Sequence, residues 1–150
     1  MRKYPIEELI AHREPMILIS RLVSHDESSA LCEVDISDTS LFYQQHNDGV
    51  ASYVGIEYMA QSIAAFAGAK ALSRGESVEI GFLLGSRKYQ TFDALFNNNT
   101  TYQITVEQLF QEDNGLSVFD CKIQLGNKLI AQAKVNAFQP ENPEEFLKEQ

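Results

Sequence analysis

Residues 54–72 read VGIEYMAQSIAAFAGAKAL, and the period of this stretch decides the fold. Val54, Ile56, Met59, Ala60, Ile63, Ala64, Ala67 and Ala71 recur at helical spacing, with no proline inside the segment. The opposite face, with Tyr53, Tyr58, Ala65 and Phe66, is only weakly polar. The spacing therefore predicts a long helix wrapped by protein on most sides, with Ser52 as its expected cap and Asp48 and Asn47 as competitors.

On either side of the helix the period changes to that of strands. Residues 29–36 alternate cleanly, placing Ala30, Cys32, Val34 and Ile36 on one face. Residues 16–22 form a further expected strand, preceded by a short helix over 4–11 with Pro5 near its start. After the long helix, strands are expected over 78–84, 86–89, 101–110, 117–125 and 128–138, with Gly126 and Asn127 making a hairpin turn. The acidic tail from Pro140 reads as a short terminal helix. One apolar helix among about six strands, most of them antiparallel neighbours, buries its surface best when a single sheet curls around it. This α+β order resembles the hotdog arrangement, an antiparallel sheet wrapped around one central helix.

Composition fits one domain over 1–150: the apolar fraction is 44% and no long Pro, Gly or Ser tract interrupts it. The formal charge of -9, from 21 acidic residues against 12 lysines and arginines, argues against nucleic acid and against an anionic membrane as partners. The opening MRKYPIEELI has no signal-peptide character, and no apolar run approaches bilayer length. A cytoplasmic location without membrane insertion is expected. Cys32 and Cys121 sit among apolar neighbours without redox or metal spacing and read as buried free thiols. His12, His25 and His46 likewise show no ligand spacing, so no metal and no bound cofactor are expected.

Chemistry concentrates at His46 and Glu57. Glutamate is a poor choice for a buried helix unless its hydrogen bond or its proton is needed. Near the helix start, open N–H groups favour the carboxylate while burial favours the acid. Gln61 shares the Glu57 face one turn later, and Ala64 and Gly68 continue it with small residues that leave room beside the acid. His46 lies in a polar loop, where an imidazole can take or return a proton near neutral pH. The bland alternatives are a surface histidine and a carboxylate tied to neighbouring amides. His12 and Arg13 read as a fastening of the N-terminal segment. Gly81 either exposes an amide to a substrate carbonyl or marks a bulge. Lys70, Arg74, Arg87 and Lys88 are the basic residues best placed to meet one anionic group.

Several of these residues together resemble the 3-hydroxyacyl-acyl carrier protein dehydratase family of hotdog proteins. LIAHREPMILISRL resembles its His-Arg-x-Pro stretch and following strand, with Ser20 where Asp is common. GIEYMAQSIAA resembles the segment bearing the family's catalytic glutamate, which implies that role for Glu57 and an orienting role for Gln61. The family's loop histidine falls on His46, and GFLLGSRK implies Gly81 as the oxyanion amide. The family's Gly-His-Phe-Pro-Gly is here Gln45-His46-Asn47-Asp48-Gly49, and the approach to the helix is shorter. In this the chain is more similar to a divergent branch associated with aryl polyene or other secondary lipid synthesis.

The resemblance implies conversion of a 3-hydroxyacyl thioester, borne on the phosphopantetheine of an acyl carrier protein, to a trans-2-enoyl thioester. It also implies a homodimer or a heteromer with another hotdog subunit, and carrier contacts from Arg74, Arg87 and Lys88. An acyl thioesterase and a non-catalytic carrier-binding partner remain the alternatives.

Overall fold

The computed structural model describes residues 4–10, 14–77 and 82–138. In chain order the elements are α1 (Ile6–Leu9), β1 (Arg21–His25), β2 (Ser29–Ile36), β3 (Tyr43–Gln44), β4 (Gly49–Ala51), a 3-10 turn (Ser52–Val54) and α2 (Gly55–Ser73). They continue as β5 (Phe82–Thr91), β6 (Leu95–Asn97), β7 (Thr100–Gln111), β8 (Leu116–Leu125) and β9 (Lys128–Phe138). Six strands form one sheet in the order β1-β2-β7-β8-β9-β5, with every neighbouring pair antiparallel. The sheet wraps α2, which is the hotdog architecture expected from the apolar helix.

The alternating strands fold as their pattern requires. On β2, Ala30, Cys32, Val34 and Ile36 are all buried, and register pairing sets Cys32 beside Ile104 and Val34 beside Tyr102. The inward residues of β7, β8 and β9, among them Ile104, Val106, Phe119, Cys121, Ile123 and Val135, complete one core with them. Both cysteines are free and buried. The turn at Gly126 and Asn127 joins β8 to β9 as expected, with Gly126 at φ 58°.

Four expectations are corrected. The first concerns residues 16–22: strand pairing starts at Arg21, and the preceding segment is instead held by a helix side chain. Gln61 accepts from the Leu18 N–H at 2.8 Å and the Ile19 N–H at 3.4 Å, and donates to the Met16 carbonyl at 2.8 Å. A side chain can satisfy backbone groups in place of a neighbouring strand, so extended chain need not be ladder. The second is the strand pair expected over 78–84 and 86–89. From Phe82 onward it is one strand, β5, whose register shifts between Leu83 and Gly85 and again between Arg87 and Gln90. These bulges break the alternation without ending the strand. Residues 78–81 lie outside the described set, as does the tail expected to form a terminal helix.

The third correction is the orientation of α2. Its buried residues include Tyr58, Met59, Ser62, Ala65, Phe66 and Ala69, whereas Ile56, Ala60, Ala64, Ala67 and Ala71 form a half-buried stripe. The inward face carries the large aromatic residues together with Met59, Ile63, Ala65 and Ala69. Phe66 meets Phe119 edge to face at 5.7 Å, and Tyr58 lies 5.3 Å from Phe96. The fourth is Gly68, which does not leave room beside an acid. A Cβ there would lie 2.1 Å from the Leu9 carbonyl oxygen, so the glycine lets α1 press its backbone onto the helix.

A second, three-stranded sheet, β3-β4-β6, covers the N-terminal end of α2. Phe96 on β6 is fully buried and packs on Tyr58 of the helix and on Tyr102 of the main sheet. The Asn97 N–H donates to the Tyr102 hydroxyl at 2.8 Å. This small sheet is thereby fixed to both the helix and the large sheet. Among the described residues, no helix is long and apolar enough to cross a membrane.

Candidate active site

His46 lies in the turn of the β3-β4 hairpin and is exposed. Glu57 is the third residue of α2, within its first turn, and is half-buried. A single run of chain therefore carries both: the hairpin turn, β4, the 3-10 turn and the helix start. Glu57 thus sits in the first turn of α2, at the end of the helix where the dipole is positive.

Ser52 does not cap the helix, because the chain enters through the 3-10 turn and Val54 stands at the N-cap position, with no side-chain cap bond of its own. Instead the Ser52 N–H donates to the Ala94 carbonyl at 2.9 Å, and its own carbonyl accepts the Tyr89 hydroxyl at 2.5 Å. A Cβ on Gly55 would lie 2.1 Å from that hydroxyl and 2.9 Å from the Phe96 ring. The glycine at the start of α2 is thus a close-contact position under Tyr89. Burial pushes the Tyr89 phenol up to about 12, so it is a neutral donor at physiological pH.

Tyr89 is a residue that sequence reasoning missed. It follows Lys88, which sits at φ 53° in the β5 bulge, and the bulge is what turns the ring towards the helix. No alternation signals an inward tyrosine in GSRKYQTF, since a bulge resets the period.

The other expected site residues separate into groups. Lys88 is exposed on the same bulge, next to the residue that touches the helix entry. Arg74 follows the far end of α2, where it pairs with Glu27 at 3.1 Å, roughly 25 Å along the axis from Glu57 at about 1.5 Å per residue. Arg74 therefore lies apart from Glu57, at the opposite end of the helix. Gln61 is fully buried, with its amide occupied by the backbone of residues 16–19. Gly81, His12, Arg13 and the Arg87 side chain lie outside the described residues.

The geometry can be set beside known proteins. The sequence profile of the ApeP-like family, described as ApeP dehydratase, matches residues 4–148. The chain belongs to the ApeP-like dehydratase family. A curated relative, the 3-hydroxyacyl-[acyl-carrier-protein] dehydratase FabZ of Pseudothermotoga lettingae, is 32% identical over 73 residues, covering 49% of this chain and 51% of that protein. The chain thus spans about half the length of the curated relative it matches. The dehydratase heterocomplex ApeI:P from Xenorhabdus doucetiae superposes with a TM-score of 0.89 at 24% identity, covering 98% of this chain and 97% of that chain. A hypothetical thioesterase with coenzyme A from Streptococcus pneumoniae shares the fold more distantly, with a TM-score of 0.62 and 11% identity over 79% of this chain and 86% of that one. For this ApeP-like chain, the match therefore runs through the hairpin, the helix entry and the core strands alike.

Proposed function

We propose that this chain dehydrates a 3-hydroxyacyl thioester, carried on an acyl carrier protein, to the trans-2-enoyl thioester. The observation that carries this reading is Glu57, a carboxyl group in the first turn of the wrapped helix, in a chain matched to a dehydratase family over residues 4–148.

In the proposed reaction the His46 imidazole removes the proton from C2, and negative charge develops on the thioester oxygen. Backbone N–H groups hold that oxygen, with the Gly81 amide as the nominated donor. Glu57, in its acid form, protonates the C3 hydroxyl as the C3–O bond breaks, and water departs. The substrate arrives on phosphopantetheine, whose phosphate Lys88 and Arg87 would meet near the helix entry, with Arg74 a more remote carrier contact. The protein itself needs no further cofactor in this scheme. The superposing relative is a heterocomplex, which supports a second hotdog subunit as the partner of this chain. An aryl polyene or related lipid pathway is the setting the family name favours.

The test follows 3-hydroxybutyryl and 3-hydroxydecanoyl N-acetylcysteamine thioesters by enoyl absorbance, with free thiol measured in parallel. Enoyl product without thiol release is expected. Glu57→Gln and His46→Ala should each lower kcat by at least about a hundredfold, as expected for loss of a general acid or base. Near-normal rates in both variants would sink the assignment, and thiol release from a saturated acyl substrate would convert it to a thioesterase.

A further inference from the structure

The hairpin turn that carries His46 is held by side chains with no part in the proposed proton transfers. Asp48 follows His46 by two residues and adopts φ 54°, a left-handed conformation that Asp tolerates better than most residues. Its Oδ1 accepts the Tyr43 hydroxyl at 2.5 Å and the Asn98 Nδ2 at 3.0 Å. Its carbonyl accepts the Asn98 N–H at 3.1 Å. Tyr43 and Asp48 stand on either side of residues 44–47, so their bond closes the turn across its base. Within it, Asn47 donates from its N–H to the Gln44 carbonyl at 3.2 Å and from Nδ2 to Gln44 Oε1 at 2.5 Å.

Asn98 connects this closed turn to the core. It directly follows β6, whose Phe96 is locked between Tyr58 and Tyr102. A continuous series of contacts thus runs from Tyr58 of the helix through Phe96 and Asn98 to Asp48 and the His46 turn. The Asn98 amide is aimed by the carboxylate: with Nδ2 on Asp48, its Oδ1 is buried and has no hydrogen-bond partner among the described residues. Reversing the amide would set oxygen against carboxylate, so the orphaned acceptor marks how firmly the donor is committed.

We propose that Asp48, clamped by Tyr43 and Asn98, is the positioning residue that fixes the His46 turn on the core of its own subunit. The proposal rests on the dehydratase reading with His46 as base. A polar clamp of this kind gives a glycine- and proline-free turn a defined shape. Its hydrogen bonds are solvent-accessible, so they contribute little to global stability and act mainly on local geometry. Small misplacements of a reacting group are costly in rate.

The experiment measures kcat, KM and the urea midpoint for the whole protein and for Asp48→Gly, Asp48→Asn, Tyr43→Phe and His46→Ala, with 3-hydroxydecanoyl N-acetylcysteamine thioester as the probe. Asp48→Gly suits the left-handed backbone but removes the acceptor, and it should lower kcat by at least about tenfold with KM and the midpoint little changed. Tyr43→Phe should move in the same direction. Asp48→Asn keeps an Oδ1 that accepts both bonds and should restore most of kcat. A wild-type kcat in Asp48→Gly beside an inactive His46→Ala overturns the clamp while sparing the reading of the site. A kcat loss that follows the midpoint and is not rescued by asparagine assigns a merely structural role and also overturns it. Full activity in His46→Ala overturns the base assignment, and the clamp with it.

Discussion

Gly68→Ala adds one methyl group, and the structure makes it an expensive one. The new Cβ would sit 2.1 Å from the Leu9 carbonyl oxygen, 2.9 Å from its carbonyl carbon and 3.0 Å from its Cα. All three are backbone atoms, so no rotamer change relieves the contact, and α1 must lift from α2. Leu9 and Ile10 at the end of α1 are 0% and 2% exposed. Overpacking of this kind costs about 1–3 kcal/mol. Partial withdrawal of one such apolar side chain costs about 1 kcal/mol more, against roughly 1.5–3 kcal/mol for its full burial. Alanine returns about 1 kcal/mol through helix propensity. The balance is a net destabilisation of roughly 2 kcal/mol, or about a 1 M fall in urea midpoint for a protein of this size. Ala67→Gly, on the half-buried stripe beside it, reads the propensity contribution alone with reversed sign. An unchanged or raised midpoint in Gly68→Ala would refute the close approach of α1 to the helix.

Two further outcomes follow from buried groups. Gln61→Ala strips the hydrogen-bond partners from the Leu18 N–H and the Met16 carbonyl, and should cost about 2–4 kcal/mol in urea melts, with segment 16–19 gaining the most amide exchange. Equal exchange in this segment before and after the change would contradict its attachment to the helix. Burial pushes the Cys32 thiol up from 9.0 to about 12, partly offset by a hydrogen bond with Ser62. The folded state therefore holds this proton more tightly than the unfolded chain does. Its contribution is fully present below about pH 9 and is lost as pH rises towards about 12, by about 1.4 kcal/mol per unit. Cys121 and the buried Tyr58 shift in the same direction, so the wild type should lose stability steeply in alkali. Cys32→Ala should flatten that slope by one thiol, and an unaltered slope in pH-dependent urea melts would remove Cys32 from this role.

The features legible in the sequence are those whose partners impose a period. Each inward residue of β2 meets a neighbour on β7, and Ile104 and Val106 of β7 meet Ile123 and Cys121 on β8, so alternation is enforced along these pairings. The helix was legible for a related reason, since an element with no strongly polar face must be covered. Its rotation was not. Ala60, Ala64 and Ala67 count as apolar in any pattern and lie on the half-buried side, while Ala65 and Ala69, equally small, are fully buried. On a helix without a strongly polar face, polarity cannot assign the inward side, which is the one that carries the ring contacts of Tyr58 and Phe66. Segment 16–19 misled for the opposite reason: its apolar run is that of a strand, but its hydrogen bonds go to Gln61.

At the candidate site the sequence exposed the chemistry of the groups but not what aligns them. Glu57 stands out because a carboxyl group in a wrapped helix demands a reason. The sheet that carries His46 gives no such signal, because β3, β4 and β6 have two or three residues each and no period can develop. Their stability comes from distant partners: Gly49 pairs with Asn97, and Val50 pairs with Phe96, which is itself gripped by Tyr58 and Tyr102. A change at Phe96 should therefore disturb both the hairpin and the helix entry, although it lies in neither. The two residues proposed to exchange protons with substrate are local in sequence, but the hairpin that carries one and the helix that carries the other are each packed on the core. Asp48 and Asn98 hold the His46 turn, and Tyr89 holds the helix entry, through contacts that the spacing from 46 to 57 does not announce.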